Sequence, residues 1–99
     1  MISEQLVREA LKEVYDPELQ YSIVDLGLIY DVTVKDGNVH VLMTLTSPGC
    51  PVAPMIIEQI QETVGVIPGT KDVDVEVTFD PPWSPESMSE DARADLGLD

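Results

Sequence analysis

Leu28-Ile29-Tyr30-Asp31-Val32-Thr33-Val34-Lys35-Asp36-Gly37-Asn38-Val39-His40-Val41-Leu42-Met43-Thr44-Leu45-Thr46 decides the fold. Leu28, Tyr30, Val32 and Val34 alternate with Ile29, Asp31, Thr33 and Lys35, a period of two that belongs to a half-buried strand. Asp36-Gly37 follows, a pair that tolerates the positive φ a tight hairpin turn requires. Val39, Val41, Met43 and Leu45 then alternate with His40, Leu42, Thr44 and Thr46. The spacing predicts a β-hairpin with one buried face.

Upstream of the hairpin, Ser3 is placed to cap a helix with Glu4 in its first turn. Leu6, Val7, Ala10, Leu11 and Val14 fall on one face of that helix, which Pro17 should end by about Tyr15. A loop over residues 16–22 then runs into Ile23-Val24-Asp25-Leu26-Gly27. Downstream, Pro51 suits the first position of a second helix, and Pro54 still lies in its first turn. Val52, Ile56, Ile60 and Val64 form its apolar stripe, and Glu58, Gln61 and Glu62 its wet side. Pro68-Gly69 breaks the helix, and Val73, Val75, Val77 and Phe79 alternate with Asp74, Glu76 and Thr78 as a third strand.

The order is helix, strand, strand, helix, strand. Each strand has one apolar face, so both helices should cover that face. The expected fold is α+β, a two-layer sandwich with a three-stranded sheet and helices on one face. Residues 80–99 read differently: Asp80-Pro81-Pro82-Trp83-Ser84-Pro85 is stiffened by proline. Ser87 with Glu90 fits a capping box and Gly97 a stop, which predicts a short C-terminal helix on, or extending from, the rest. Ninety-nine residues are expected to form a single domain over 1–99.

Five basic residues stand against 19 acidic ones, a net charge of −14. A polyanionic surface repels phosphate backbones, so nucleic acid is not an expected partner. The acidity fits a solvated surface, a basic protein partner or a salt-rich cytoplasm. One cysteine excludes an intramolecular disulfide, and no C-x-x-C pair is present. Met1-Ile2-Ser3-Glu4 opens no apolar run of the signal-peptide kind, and no run approaches a membrane span. A soluble protein of the reducing cytoplasm, without membrane contact, is expected.

The lone cysteine, Cys50, lies in Thr46-Ser47-Pro48-Gly49-Cys50-Pro51-Val52, between strand and helix patterns. A thiol in the first turn of a helix meets unpaired N–H groups and the positive end of the dipole, which favour the thiolate. The alternative is a small buried space-filler, the usual role of a free cysteine. Gly49, Pro48 and Pro51 constrain the loop and favour a functional, reactive thiol.

Asp16, Glu18 and Asp25 flank the loop after the first helix. Asp16 before Pro17 is the pattern of an Asx-turn; the other reading is a pair of acids beside the thiol, opposing the helix dipole. The Thr46 hydroxyl either bonds the thiolate or caps the helix. His40, mid-strand on the wet face, is not expected to pair with Cys50. Trp83 between prolines is a plug at the core edge or, less in keeping with the pattern, an exposed anchor for a partner. The chain has no P-loop, Gly-x-Gly-x-x-Gly or Gly-x-Ser-x-Gly motif.

Asp16-Pro17-Glu18-Leu19, Ile23-Val24-Asp25-Leu26-Gly27-Leu28-Ile29-Tyr30, Thr44-Leu45-Thr46-x-x-Gly49-Cys50-Pro51 and Asp80-Pro81-Pro82-Trp83 together resemble the MIP18 (DUF59) family, which includes SufT-like and PaaD-like metal–sulfur cluster assembly proteins. The likeness runs over roughly residues 4 to 97. It implies an α+β domain of the iron–sulfur-assembly type and a non-enzymatic role in maturing iron–sulfur proteins. It also implies that Cys50 is the key residue and candidate metal ligand, with Asp16, Glu18, Leu19 and Thr46 around it. Asp80 and Trp83 are candidates for partner binding. Similar domains occur fused to P-loop cluster carriers, so a separate carrier, the assembly machinery and apo-protein clients are the implied partners.

Ligand counting narrows what Cys50 can do. Iron–sulfur clusters usually take four ligands, most often thiolates, and one cysteine per chain cannot hold a cluster alone. Either two subunits of a homodimer each donate Cys50, or Cys50 is a transient ligand during transfer, or the domain is an adaptor that binds no iron. Two other readings stand beside these: a PaaD-like factor for a phenylacetate ring-oxygenase complex, and an enzyme with Cys50 as nucleophile.

Overall fold

The computed structural model describes residues 2–46 and 51–97. Helix α1 spans Glu4–Leu11, and the Ser3 hydroxyl accepts from the Leu6 N–H at 3.2 Å as its N-cap. Val7 and Leu11 are fully buried, whereas Leu6 is 49 % exposed and lies off the core-facing stripe assigned to it. The helix also ends earlier than expected. Lys12, Glu13 and Val14 each donate to the carbonyl three residues back, which tightens and closes the last turn. The Val14 carbonyl is thereby free to accept from Ile23 N–H at 2.9 Å. Tyr15–Asp16 is accordingly a strand, β1, paired antiparallel with β2, Tyr21–Ser22.

The main sheet has the order β3-β4-β5, with β3 at Ile29–Lys35, β4 at Asn38–Met43 and β5 at Asp72–Val77. Strands β3 and β4 form the expected hairpin, with φ of 53° at Asp36 and 85° at Gly37. A Cβ on Gly37 would lie 2.7 Å from the Gly69 carbonyl oxygen, so the turn also needs glycine for space. A bulge separates Ile29 from Asp31, leaving Tyr30 as the extra residue. The strict alternation expected from Leu28 through Val34 is broken there.

Strands β4 and β5 are parallel, and α2, Ala53–Gly65, makes the crossover. Ile56, Ile60 and Val64 bury the predicted stripe of α2 in one core cluster with Val39, Val41 and Met43 of β4. The helix starts later than expected, with Val52 as N-cap and Pro54 inside the first turn, so Pro51 precedes it. Val73, Val75 and Val77 are half-buried, and Phe79 is exposed rather than continuing their apolar row.

Beyond β5 the chain folds back over residues 21–30. Tyr30 Oη donates to the Pro81 carbonyl at 2.7 Å, and Trp83 Nε1 donates to the Leu26 carbonyl at 2.6 Å. A 3₁₀ turn at Pro85–Ser87 leads to α3, Glu90–Asp95, whose N-cap is Ser89 and not Ser87. The Ser89 N–H donates to the Asp25 carbonyl at 2.9 Å, and Met88 and Ala92 join the core. Tyr21 Oη donates to the Asp95 carboxylate. That bond, then burial, then the negative charge of Asp95, Asp91 and Asp25 push the Tyr21 phenol up to about 12 from 10.0.

Gly27 sits where this return is tightest. Its φ is 73°, and a Cβ would stand 2.2 Å from the Ser87 carbonyl oxygen. Gly27→Ala combines left-handed strain with a backbone clash, so denaturant unfolding should show a loss of about 3 kcal/mol. Hydrogen exchange should rise first over residues 83–96.

The Tyr21 phenol supplies a second prediction. Its folded pKa is raised, so its contribution to stability is fully present below pH 10 and is lost as pH rises through about 12. A tyrosinate absorbance titration should show the Tyr21 phenol titrating near 12, moving down in Asp95→Asn.

Candidate functional site

The ends of the elements around β4 converge at one edge of the molecule. Because β4 and β5 are parallel, both deliver their C-termini there, and antiparallel β3 begins there. Two bonds close that end: Thr44 N–H donates to the Leu28 carbonyl, and Thr78 N–H donates to the Met43 carbonyl, each at 2.8 Å. Leu28 N–H in turn donates to the Ile23 carbonyl at 3.0 Å, and Ile23 N–H to that of Val14. This chain of backbone bonds carries the Asp16 turn to the same end as Thr46 and the start of α2.

Asp16 is buried, at 3 % exposure. Its Oδ1 accepts from the N–H groups of Glu18 at 2.8 Å and Leu19 at 3.1 Å, and its carbonyl accepts from Gln20 N–H at 2.7 Å. This is the Asx-turn that Asp-Pro implies, with the carboxylate used to hold the loop. The Glu18 side chain is exposed, and Leu19 is half-buried against the core. Asp16, Glu18 and Leu19 are therefore one unit.

Thr46 is half-buried just past the buried pair Thr44 and Leu45. Among the described residues no hydrogen bond joins it to the Asp16 turn. Cys50 lies outside the described residues; the chain is described on either side of it, at Thr46 and from Pro51. Helix α2 begins at Ala53, with no acidic residue in its first turn and no side-chain cap from Val52. Among the described residues, no side chain caps its first N–H groups.

The remaining candidates separate. Trp83 is half-buried, packed against the core and bonded to Leu26, the plug that the sequence favoured. Asp80 is exposed, and its N–H donates to Thr78 Oγ1 at 3.2 Å. Asp25 is exposed and contributes its carbonyl to Ser89. His40 is on the wet face of the sheet, with Nε2 at 3.1 Å from Glu76 and 3.6 Å from Asp74. Sequence reasoning missed Tyr30 and Tyr21, whose hydroxyls tie the loop to the returning chain. Their partners are 51 and 74 residues away, and no local pattern signals them. Among the described residues no group of three or more His, Cys, Asp and Glu could hold a metal ion, and no helix is long and apolar enough to cross a membrane.

Comparison with known proteins gives this geometry a context. The chain is 46% identical over 90 residues to the Fe-S protein maturation auxiliary factor YitW of Bacillus subtilis, covering 90% of this chain and 88% of that protein. It is 45% identical over 86 residues to the Fe-S protein maturation auxiliary factor SufT of Staphylococcus aureus, covering 86% and 98%. An iron-sulfur cluster carrier protein of Synechocystis matches 83% of this chain at 39% identity over only 23% of its own length, so the domain also occurs within carriers. The crystal structure of a DUF59 domain from Bacillus anthracis superposes with a TM-score of 0.92 at 40% identity, over 97% of this chain and 92% of that one. A model described as iron-sulfur cluster assembly protein matches residues 4–77. The chain, with its α+β fold and three-stranded mixed sheet, belongs to the iron–sulfur cluster assembly protein (DUF59, MIP18) family.

Proposed function

We propose that this protein is an auxiliary factor in iron–sulfur protein maturation, assisting transfer of a cluster to apo-proteins without catalysing a reaction of its own. The observation that carries this reading, in a chain of this family, is the convergence of the Asp16 turn, the Thr46 strand exit and the start of α2 at one end of the sheet. The last two of them flank, in sequence, the segment that holds the only thiol.

In this reading Cys50 is a ligand or docking thiol for a cluster that is cargo. Ligand arithmetic makes it one of several thiolates, the others coming from a second subunit, a carrier or a client. The N-terminal turn of α2, which carries no acid, favours negative charge on a sulfur that approaches it. The Asp16 turn shapes the loop at residues 16–20. The presence of such domains within cluster carriers supports a carrier as the partner.

The test is complementation of a strain that lacks this protein, scoring several iron–sulfur enzymes against an enzyme without a cluster. Wild type should restore the iron–sulfur enzymes and Cys50→Ala should not. Anaerobic reconstitution separates the two forms of the proposal: Cys50-dependent iron and visible absorbance support a ligand, and their absence with function retained leaves an adaptor.

Asp16 offers a further prediction. Asp16→Ala strands the N–H groups of Glu18 and Leu19 and should cost about 1–3 kcal/mol in denaturant unfolding. Asp16→Asn keeps an acceptor oxygen and should lose less. Complementation by the two variants should follow the same order, because the shape of the turn and not its charge is what the site uses.

A further inference from the structure

We propose that the free edge of β5 is a docking strand for an extended segment of a partner protein in which basic residues alternate with apolar ones. The sheet order leaves β5 paired on one side only, with β4. Among the described residues no backbone hydrogen bond reaches its outer edge, and such an edge is a ready template for another strand.

The two faces of β5 specify the guest. On the core face, Val73 and Val75 are half-buried, while Val39 and Val41, their register partners on β4, are 2 % and 0 % exposed. Each apolar row is closed at β4 and left open at β5. One more strand with apolar residues in phase would finish the layer. On the other face, Asp72, Asp74 and Glu76 are exposed at every second residue, a repeat of about 6.6 Å along the strand. Among the described residues no Lys or Arg pairs with them; His40 alone reaches Asp74 and Glu76.

A second copy of this chain does not fit that description. Pairing β5 with β5 sets carboxylates beside carboxylates, in a molecule of net charge −14. A strand with Lys or Arg at alternate positions answers the carboxylates on one face and covers the valines on the other. This is strand addition, with backbone bonds supplying affinity and side-chain phase supplying specificity. The inference stands on the sheet edge and its charges, independently of the role of Cys50.

The experiment titrates isotope-labelled full-length protein with a synthetic peptide alternating lysine and valine, and with its glutamate–valine counterpart. Amide shifts should concentrate in residues 72–77 for the lysine peptide only, and should vanish at high salt. Asp74→Asn with Glu76→Gln should weaken binding about fivefold or more, given the usual worth of exposed charge pairs. Glu90→Gln with Asp91→Asn removes the same charge elsewhere and should leave affinity unchanged. Shifts spread over α1 and α3 without β5, equal weakening by both double variants, or a β5-to-β5 dimer of the free protein would each overturn the proposal. Spectra of the free variants show whether each is folded before peptide is added.

Discussion

The two bonds at the C-terminal end of β4, Thr44 to Leu28 and Thr78 to Met43, set the position of almost everything else that matters here. They fix the last residue of the central strand from both sides. The chain must then leave the sheet at Leu45 and Thr46, cross over the core face through α2, and return parallel as β5. A parallel pair cannot be joined by a tight turn, so a crossover is obligatory; here it is α2, whose N-terminus lies at the end where β4 finishes. Strand exit and helix start are thereby brought to the same edge, with the cysteine-bearing segment spanning them.

The returning chain beyond β5 holds the facing loop in place. Residues 21–30 form little regular structure, and their backbone carbonyls at Asp25 and Leu26 are satisfied from Ser89 N–H and Trp83 Nε1. Met88 and Ala92 complete the core beneath them. These residues lie past position 77, where the family match ends, yet they buttress a loop inside it. A buried loop without them would expose apolar surface and strand polar groups, so the short arm is integral to the fold of this chain.

The hairpin, the stripe of α2 and the valine row of β5 were legible because each is local and periodic. Asp36-Gly37 and Asp16-Pro17 were legible because their side chains and backbone preferences act over a few residues. What escaped was tertiary. The end of α1 looked like the work of Pro17, but Val14 leaves the helix to accept from Ile23. Tyr30 fitted the alternation, but a bulge re-aims it so that its hydroxyl meets Pro81. Ser87 matched a capping box, but its carbonyl packs over Gly27 and Ser89 takes the cap. At the site, the Asp16 turn was readable from sequence. That Thr46 and the turn share one end was not, since it follows from a three-link chain of bonds between residues 14 and 44.

The acidity of the chain bears on the thiol in a way that a count of carboxylates misses. Asp16 is closest to the turn by sequence, but its Oδ1 already accepts two N–H groups, whose dipoles offset its charge locally. Glu18 is exposed, where water and salt screen it beyond about 10 Å. Asp72, Asp74 and Glu76 lie on the opposite face of the sheet from α2. None of these carboxylates lies in the first turn of α2, which carries no acid. In the role proposed for Cys50, an acid-free helix start is what lets a strongly negative protein accommodate an anionic sulfur. On the outer face, Asp72, Asp74 and Glu76 form the row that, in the docking proposed for β5, opposes self-pairing and favours a basic guest.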